Sequence, residues 1–259
     1  MSIKLTLLGT GTFFVTKDRS SSAFLLEADD KKVLMDCGPG TLMRLSQVGV
    51  SVEDLDYIFI THFHADHTSD LFPLFMNFRL NDLFSGGNKT KFPKVVGPKG
   101  IYEFILKNSQ NYQLLCVEGW DKIEFIEVDS IKKLGNIKVE PFKVKHNAFG
   151  VDVVVYAYRL EIGSKVIAFS GDSIRCPELE KATKDADILV CDASYSKGKG
   201  SPAHMDTYDI GNIARENNVK KVVLIHFYPQ NDNIDLAKEV KEKYSGEVIA
   251  GKDLMEIAL

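Results

Sequence analysis

The sequence predicts an α/β fold of two mixed β-sheets with helices on their outer faces, on three observations. Short runs rich in valine, isoleucine, leucine and phenylalanine recur along the chain. Stretches with apolar residues at helical spacing lie between many of them. Between Ile123 and Ser170 the alternation stops, and four strands follow one another with only turns such as Leu134-Gly135-Asn136 and Ile162-Gly163-Ser164 to join them.

Taken in order, the strands are expected at 4–8, 23–27, 32–36, 57–61 and 94–96, then at 123–128, 137–145, 153–161 and 165–170, and finally at 188–191, 221–225 and 247–250. Helices are expected at 40–48, 68–80, 98–106, 177–183, 207–217 and 235–244, several of them opened by Pro, Ser, Asp or Thr. No linker separates the two β-rich halves, so residues 1–259 are expected to form one domain. Phe72, Phe75, Met76 and Phe78 read as the buried face of the second helix, although such a face also suits a homodimer.

Composition narrows the function. With 259 residues, 44% of them hydrophobic, the chain can bury a large core. Thirty-two basic against 36 acidic side chains give a net charge of −4, which argues against broad affinity for nucleic-acid backbones. The densest basic stretch, Asn88 to Lys94, reads as a solvated loop. The opening MSIKLTLLGTGTFF has too short an apolar run for a signal peptide, and no window approaches the roughly 18 apolar residues of a membrane span. A cytoplasmic protein without membrane contact is expected. Cys37, Cys116, Cys176 and Cys191 form no CxxC pair and read as reduced, mostly buried thiols.

Five strands deliver a His or Asp at their C-terminal ends: His62, His146, Asp172, Asp192 and His226. In α/β sheets that edge collects ligands, because its loops are open to solvent yet rest on a rigid scaffold. The first strand opens into His62-Phe-His64-Ala-Asp66-His67. An HxHxDH arrangement arises by chance in a chain of this length and composition with probability on the order of 10⁻⁴. Imidazole and carboxylate together suit Zn²⁺, Mn²⁺ or Fe²⁺. Alone, His146 or His226 reads as a hydrogen-bonded structural histidine and Asp172 as a turn residue or helix cap. Beside HxHxDH they become the natural suppliers of the missing ligands.

In content and order, these motifs resemble the metallo-β-lactamase superfamily over essentially the whole chain. The resemblance implies an αβ/βα sandwich and two divalent metal ions, zinc first with manganese or iron as alternatives. One ion would be held by His62, His64 and His146, the other by Asp66, His67 and His226, with Asp172 bridging them. Leu8-Gly-Thr-Gly11, Ser170-Gly-Asp-Ser173 and the stretch from Asp192 through His204 to His226 are similar to ribonuclease Z and related phosphodiesterases. In those proteins an acidic residue and a histidine matching Asp192 and His204 hold the scissile phosphate and protonate the leaving oxygen. The acidic residue there is usually glutamate. The long basic arm by which ribonuclease Z grips tRNA is not visible in this sequence. Gly9-Thr-Gly11 reads as a backbone turn rather than a dinucleotide loop, since position 14 is Phe and no long helix follows at once.

The expected activity is hydrolysis of a phosphodiester, in a small molecule or RNA, by a metal-bridging hydroxide that Asp66 orients, with His204 as general acid steered by Asp192. The alternatives are a thioester or lactone hydrolase of the same fold and, further off, a non-catalytic metal-dependent binding protein.

Overall fold

The chain begins as an antiparallel meander of β1 (Lys4–Gly9), β2 (Ala23–Ala28) and β3 (Lys31–Met35). Asp29 and Asp30, at φ 52° and 61°, make the two-residue turn between β2 and β3; aspartate tolerates this left-handed backbone because its short side chain can bond locally. After α1 (Thr41–Gln47), the strands β4 (Tyr57–Phe59), β5 (Lys94–Gly97) and β6 (Phe125–Glu127) add in parallel. Between them lie α2 (Ala65–Thr68), α3 (Leu71–Phe84) and α4 (Ile101–Ser109). The structure, a computed structural model, describes residues 3–14, 16–87, 91–112 and 122–259.

A second meander follows: β7 (Lys133–Leu134), β8 (Ile137–Val144), the short pair β9 (Asn147–Ala148) and β10 (Val151–Asp152), then β11 (Val155–Ile162) and β12 (Lys165–Phe169). With α5 (Pro177–Thr183), α6 (Thr207–Glu216) and α7 (Leu236–Lys241) as the connections, β13 (Ile188–Asp192), β14 (Lys221–Ile225) and β15 (Glu247–Ala250) extend the sheet in parallel. The last strand, β16 (Met255–Ala258), pairs antiparallel with β1.

The chain divides into two compact units. The first runs to Gly9, resumes over Ser20–Ile131 and ends with Leu254–Leu259; the second comprises Thr10–Arg19 and Lys132–Asp253. Each holds a seven-stranded mixed sheet, ordered β16-β1-β2-β3-β4-β5-β6 in the first and β15-β14-β13-β12-β11-β8-β7 in the second. Starting from β16 and from β7, both sheets make a run of antiparallel pairings and then a run of parallel ones. Two antiparallel steps restore direction, so β1, β3 and β4 end at one edge of the first sheet. By the same logic β8, β12, β13 and β14 end at one edge of the second.

Each unit has its own core. Leu25, Leu34, Ile58 and Val95 of the first sheet pack with Leu45 of α1, Leu74, Phe75 and Phe78 of α3, and Ile101 and Ile105 of α4. In the second, Ala157, Ala168, Leu189, Val222 and Leu224 pack with Leu179 of α5, Ile210 and Ile213 of α6, and Leu236 and Val240 of α7. All five residues of β13 are buried, as expected of a parallel strand covered on both faces. Phe72, Phe75 and Phe78 are buried and Met76 is half-buried.

The structure differs from the sequence reading in a few places. The single helix expected at 68–80 is two, because Asp70 is committed elsewhere. Its N–H donates to Cys37 O at 3.0 Å, and its carboxylate accepts from Gly40 N and Leu42 N at 3.0 and 3.2 Å, capping α1. The strand expected at 123–128 is confined to Phe125–Glu127. Short β7, β9, β10 and the edge strand β16 have too few residues to show a period of two. Cys37, Cys176 and Cys191 are free and buried, while Cys116 lies outside the described residues. In the basic stretch Lys91 pairs with Asp56 at 2.8 Å and Lys94 with Glu124 at 2.6 Å; Asn88, Lys89 and Thr90 lie outside the described residues. No helix among the described residues is long and apolar enough to cross a membrane.

Candidate active site

In the first unit the motif histidines are set by a single carboxylate. Asp36 directly follows β3 at φ 59°, a left-handed backbone unusual for a residue with a side chain. Its Oδ1 accepts from Thr61 N at 2.8 Å, and its Oδ2 lies 3.0 Å from Thr61 Oγ1 and 2.7 Å from His67 Nδ1. A carboxylate only accepts, so Thr61 Oγ1 and His67 Nδ1 both donate to it. The Thr61 oxygen, its proton given to Asp36, then accepts from His62 Nδ1 at 3.0 Å. In both rings the partners therefore assign the proton to Nδ1 and the lone pair to Nε2, the arrangement in which a histidine binds a metal.

Backbone contacts seat the Asp36–Gly38 run on the motif: Cys37 N donates to His67 O at 2.8 Å. A Cβ on Gly38 would lie 2.0 Å from Asp66 O, so only glycine allows this approach. The His62 ring lies 4.5 Å from that of His64 and 4.2 Å from that of His67, and His67 Nε2 is 3.7 Å from Asp66 Oδ2. His62, Asp66 and His67 are buried and His64 is half-buried.

In the second unit each group comes from a different strand end. His146 stands two residues beyond β8, Asp172 three beyond β12, Asp192 is the last residue of β13, and His226 directly follows β14 at φ 60°. All four are buried, as is His204. His146 Nδ1 lies 2.7 Å from Ala203 O; a carbonyl only accepts, so here too the lone pair falls on Nε2. Asp192 Oδ1 accepts from Ser194 Oγ at 2.5 Å and Ser194 N at 3.0 Å, and its Oδ2 lies 2.6 Å from His204 Nδ1. The Ser194 hydroxyl, donating to Asp192, accepts from His226 Nδ1 at 2.9 Å. His226 Nε2 is 3.4 Å from Asp172 Oδ2.

One carboxylate thus orients two histidines, His204 directly and His226 through Ser194. Burial by itself would raise the Asp192 carboxyl, but the charge and hydrogen bond of His204 outweigh it and hold Asp192 below the usual carboxylate range. Burial likewise pulls His204 down; the Asp192 charge and hydrogen bond outweigh it and raise the imidazole above its ordinary value.

The donors fit divalent transition metals. Asp172, Asp192, His204 and His226 each offer an atom within 4.8 Å of the others, and the first unit gathers three imidazoles and a carboxylate. Oriented imidazole nitrogens with hard carboxylate oxygens suit Zn²⁺, Mn²⁺ or Fe²⁺, and the Nδ1 hydrogen bonds are the outer contacts that metal-binding histidines need.

The family model described as Anti-Pycsar protein Apyc1 matches residues 3–244. The chain belongs to this family. It is similar to "Probable metallo-hydrolase YhfI" of Bacillus subtilis, 27% identical over 252 residues, covering 96% of this chain and 97% of that one. Ribonuclease Z of Ligilactobacillus salivarius is 29% identical over 276 residues, 86% of each chain. The crystal structure of the metallo-β-lactamase fold protein YhfI from Bacillus subtilis superposes with a TM-score of 0.85 at 23% identity, covering all of both chains. The fold of this chain is therefore the metallo-β-lactamase fold, with ribonuclease Z among its relatives.

Sequence reasoning missed Asp36, Thr61 and Ser194, the residues that orient the histidines. The strand-end rule applied to 32–36 would have found Asp36, a lone carboxylate closing an apolar run. Thr61 and Ser194 carry no such signal, because a hydroxyl next to a site residue is common and its bond appears only in the fold.

Proposed function

We propose that this metallo-β-lactamase-fold hydrolase is a phosphodiesterase acting on a cyclic nucleotide or an RNA 3′ end. The observation that carries the reading is the Asp192–His204 pair, a buried imidazole held at 2.6 Å by a carboxylate beside His226 and Asp172. A carbonyl ester or thioester with a good leaving group has little use for such a pair. A phosphodiester needs a proton delivered to a departing alkoxide, which is what an oriented imidazole does.

We further propose the ligand set that the superfamily resemblance implies, with His62, His64 and His146 on one divalent ion, Asp66, His67 and His226 on the other, and Asp172 shared. Bound there, zinc or a similar ion supplies Lewis acidity for phosphate oxygens and a water of lowered pKa. The protein's own residues do the rest. Asp66 accepts a hydrogen bond from the attacking water and orients it. His204, its Nδ1 fixed on Asp192, directs Nε2–H at the leaving oxygen and gives up that proton as the P–O bond breaks. Asp192 keeps the ring from turning and stabilises its positive charge.

Metal analysis combined with a hydrolysis screen tests the reading. Its substrates are 2′,3′- and 3′,5′-cyclic nucleotides, bis-p-nitrophenyl phosphate, precursor tRNA and thioesters. Phosphodiester turnover is expected without comparable thioester turnover. His204→Ala should keep its metal and lose about 10²–10⁴ in kcat. Faster thioester than phosphodiester cleavage, or metal lost with His204, would overturn the assignment.

A further inference from the structure

In the second unit one peptide group serves two functional side chains. The carbonyl of Ala203 accepts from His146 Nδ1 at 2.7 Å, and the next residue is His204, whose Nδ1 lies 2.6 Å from Asp192 Oδ2. A turn of the Ala203–His204 peptide plane would therefore disturb a proposed metal ligand and the proposed proton donor together. Ser201 holds that plane. Its Oγ accepts from His204 N at 3.1 Å and from Ala203 N at 3.2 Å, and its N donates to His204 O at 3.0 Å.

The loop that carries this peptide is not seated by apolar burial. Lys197 to Gly200 and Pro202 are exposed, and no apolar side chain between Ser196 and Met205 is buried. Polar contacts set its course instead, and a loop held that way opens easily when they are lost. Its two ends meet on one carboxylate of α7. Glu239 Oε2 accepts from Lys197 N at 2.9 Å and from Thr207 Oγ1 at 2.7 Å. Leu236 and Val240 lie on either side of Glu239 in α7 and are buried in the core of the unit, so the carboxylate projects from a fixed support. Within the clamp Gly198 N donates to Asp206 Oδ2 at 2.7 Å, and Thr207 N donates to Tyr195 O at 3.1 Å. Glu242, on the same side of the loop, takes side-chain contacts from Lys197 Nζ at 2.7 Å and from the Tyr208 hydroxyl.

We infer that Glu239 is a positioning residue for metal binding and proton delivery at once. By clamping both ends of the 197–207 loop it fixes the Ala203–His204 peptide, and through that peptide the Nε2 atoms of His146 and His204. This rests on the phosphodiesterase reading for His204 and on the proposed ligand set for His146. Both functions are thereby tied to a residue of α7 rather than of the strand ends.

The test reads zinc affinity by titration against a chelator and kcat on bis-p-nitrophenyl phosphate at saturating zinc. Glu239→Ala should weaken zinc binding about tenfold, the low end for a disturbed outer contact of a ligand histidine. It should lower kcat about 10²-fold, the scale of a reacting group displaced by a change far from the chemistry. Ser201→Ala should reproduce both losses. Glu239→Gln keeps an acceptor oxygen at the same reach and should hold both values within about threefold of the unaltered protein, as should Glu242→Ala. A merely structural role would lower Tm and leave both values in place, which would overturn the inference. So would a loss in one value alone, equal losses in Glu242→Ala, or failure of Glu239→Gln to restore them. If the unaltered protein cleaves no phosphodiester, the reading of His204 falls, while the zinc titration of Glu239→Ala still decides the clamp on His146.

Discussion

Asp56 sits just before β4 and Asp187 just before β13, and the two make matching contacts. Asp56 N donates to Lys32 O at 2.9 Å while Asp56 Oδ2 accepts from Lys32 N at 2.9 Å. Asp187 N donates to Val166 O at 2.8 Å while Asp187 Oδ2 accepts from Val166 N at 2.8 Å. Each clips the start of a parallel strand to the start of the strand before it, in sheets with the same pattern of strand directions. At the other end of those strands the units diverge. The first crowds His62, His64, Asp66 and His67 into one loop and short helix behind Asp36, whereas the second takes one group from each of four strands and joins two of its histidines through Asp192 and Ser194. A shared scaffold thus supports a local ligand cluster in one unit and a distributed one in the other.

That contrast breaks most visibly at Asp192. Asp192→Ala should lower phosphodiester kcat by at least the roughly 10²–10⁴ of a lost general acid. It should fall below His204→Ala, because it also releases Ser194 and the His226 ring; single-turnover assays of the two variants at matched metal content decide this. Equal losses in the two variants would mean that the Ser194 link carries nothing. In the first unit Asp36→Ala removes the carboxylate behind His67 and Thr61 and should weaken metal binding about 10–100-fold, as read by titration against a chelator.

Gly38→Ala sharpens the comparison without removing any ligand side chain. Its methyl would press on the Asp66 carbonyl, so the folded state should lose about 1–3 kcal/mol, which calorimetry would read as a lower Tm. The smallest effect belongs to the clip. Burial would raise the Asp56 carboxyl, but hydrogen bonds from Lys91, the Lys32 backbone and Lys31 prevail and hold it below its ordinary value. A depressed carboxylate contributes stability that is present above its unfolded pKa and lost as pH falls through its folded pKa. Asp56→Asn should therefore flatten the drop in Tm between about pH 5 and about pH 2. Asp187 is depressed in the same way, against burial, by Lys220 and the Val166 backbone, and Asp187→Asn should behave alike. A pH response in only one of the two variants would show that the matching contacts are not equivalent.

By itself the sequence determined the α/β class, most strand positions and the HxHxDH cluster, because a strand's apolar run and a motif six residues long are local features. Strand-end logic also exposed His146, Asp172, Asp192 and His226, since a polar residue closing an apolar run stands out without knowledge of its neighbours. Tertiary structure decided the rest. The helix expected at 68–80 divided because Asp70 bonds to Cys37 and to the start of α1, contacts 28 to 33 residues away. Likewise the proton positions on His67, His146 and His226 follow from Asp36, Ala203 and Ser194, partners 31 to 57 residues away that only folding brings within hydrogen-bonding distance, and that on His62 follows from its neighbour Thr61, whose hydroxyl is turned by Asp36, 25 residues back. Periodicity and composition record what each residue prefers, whereas hydrogen-bond geometry depends on which residues each sheet carries to its own edge.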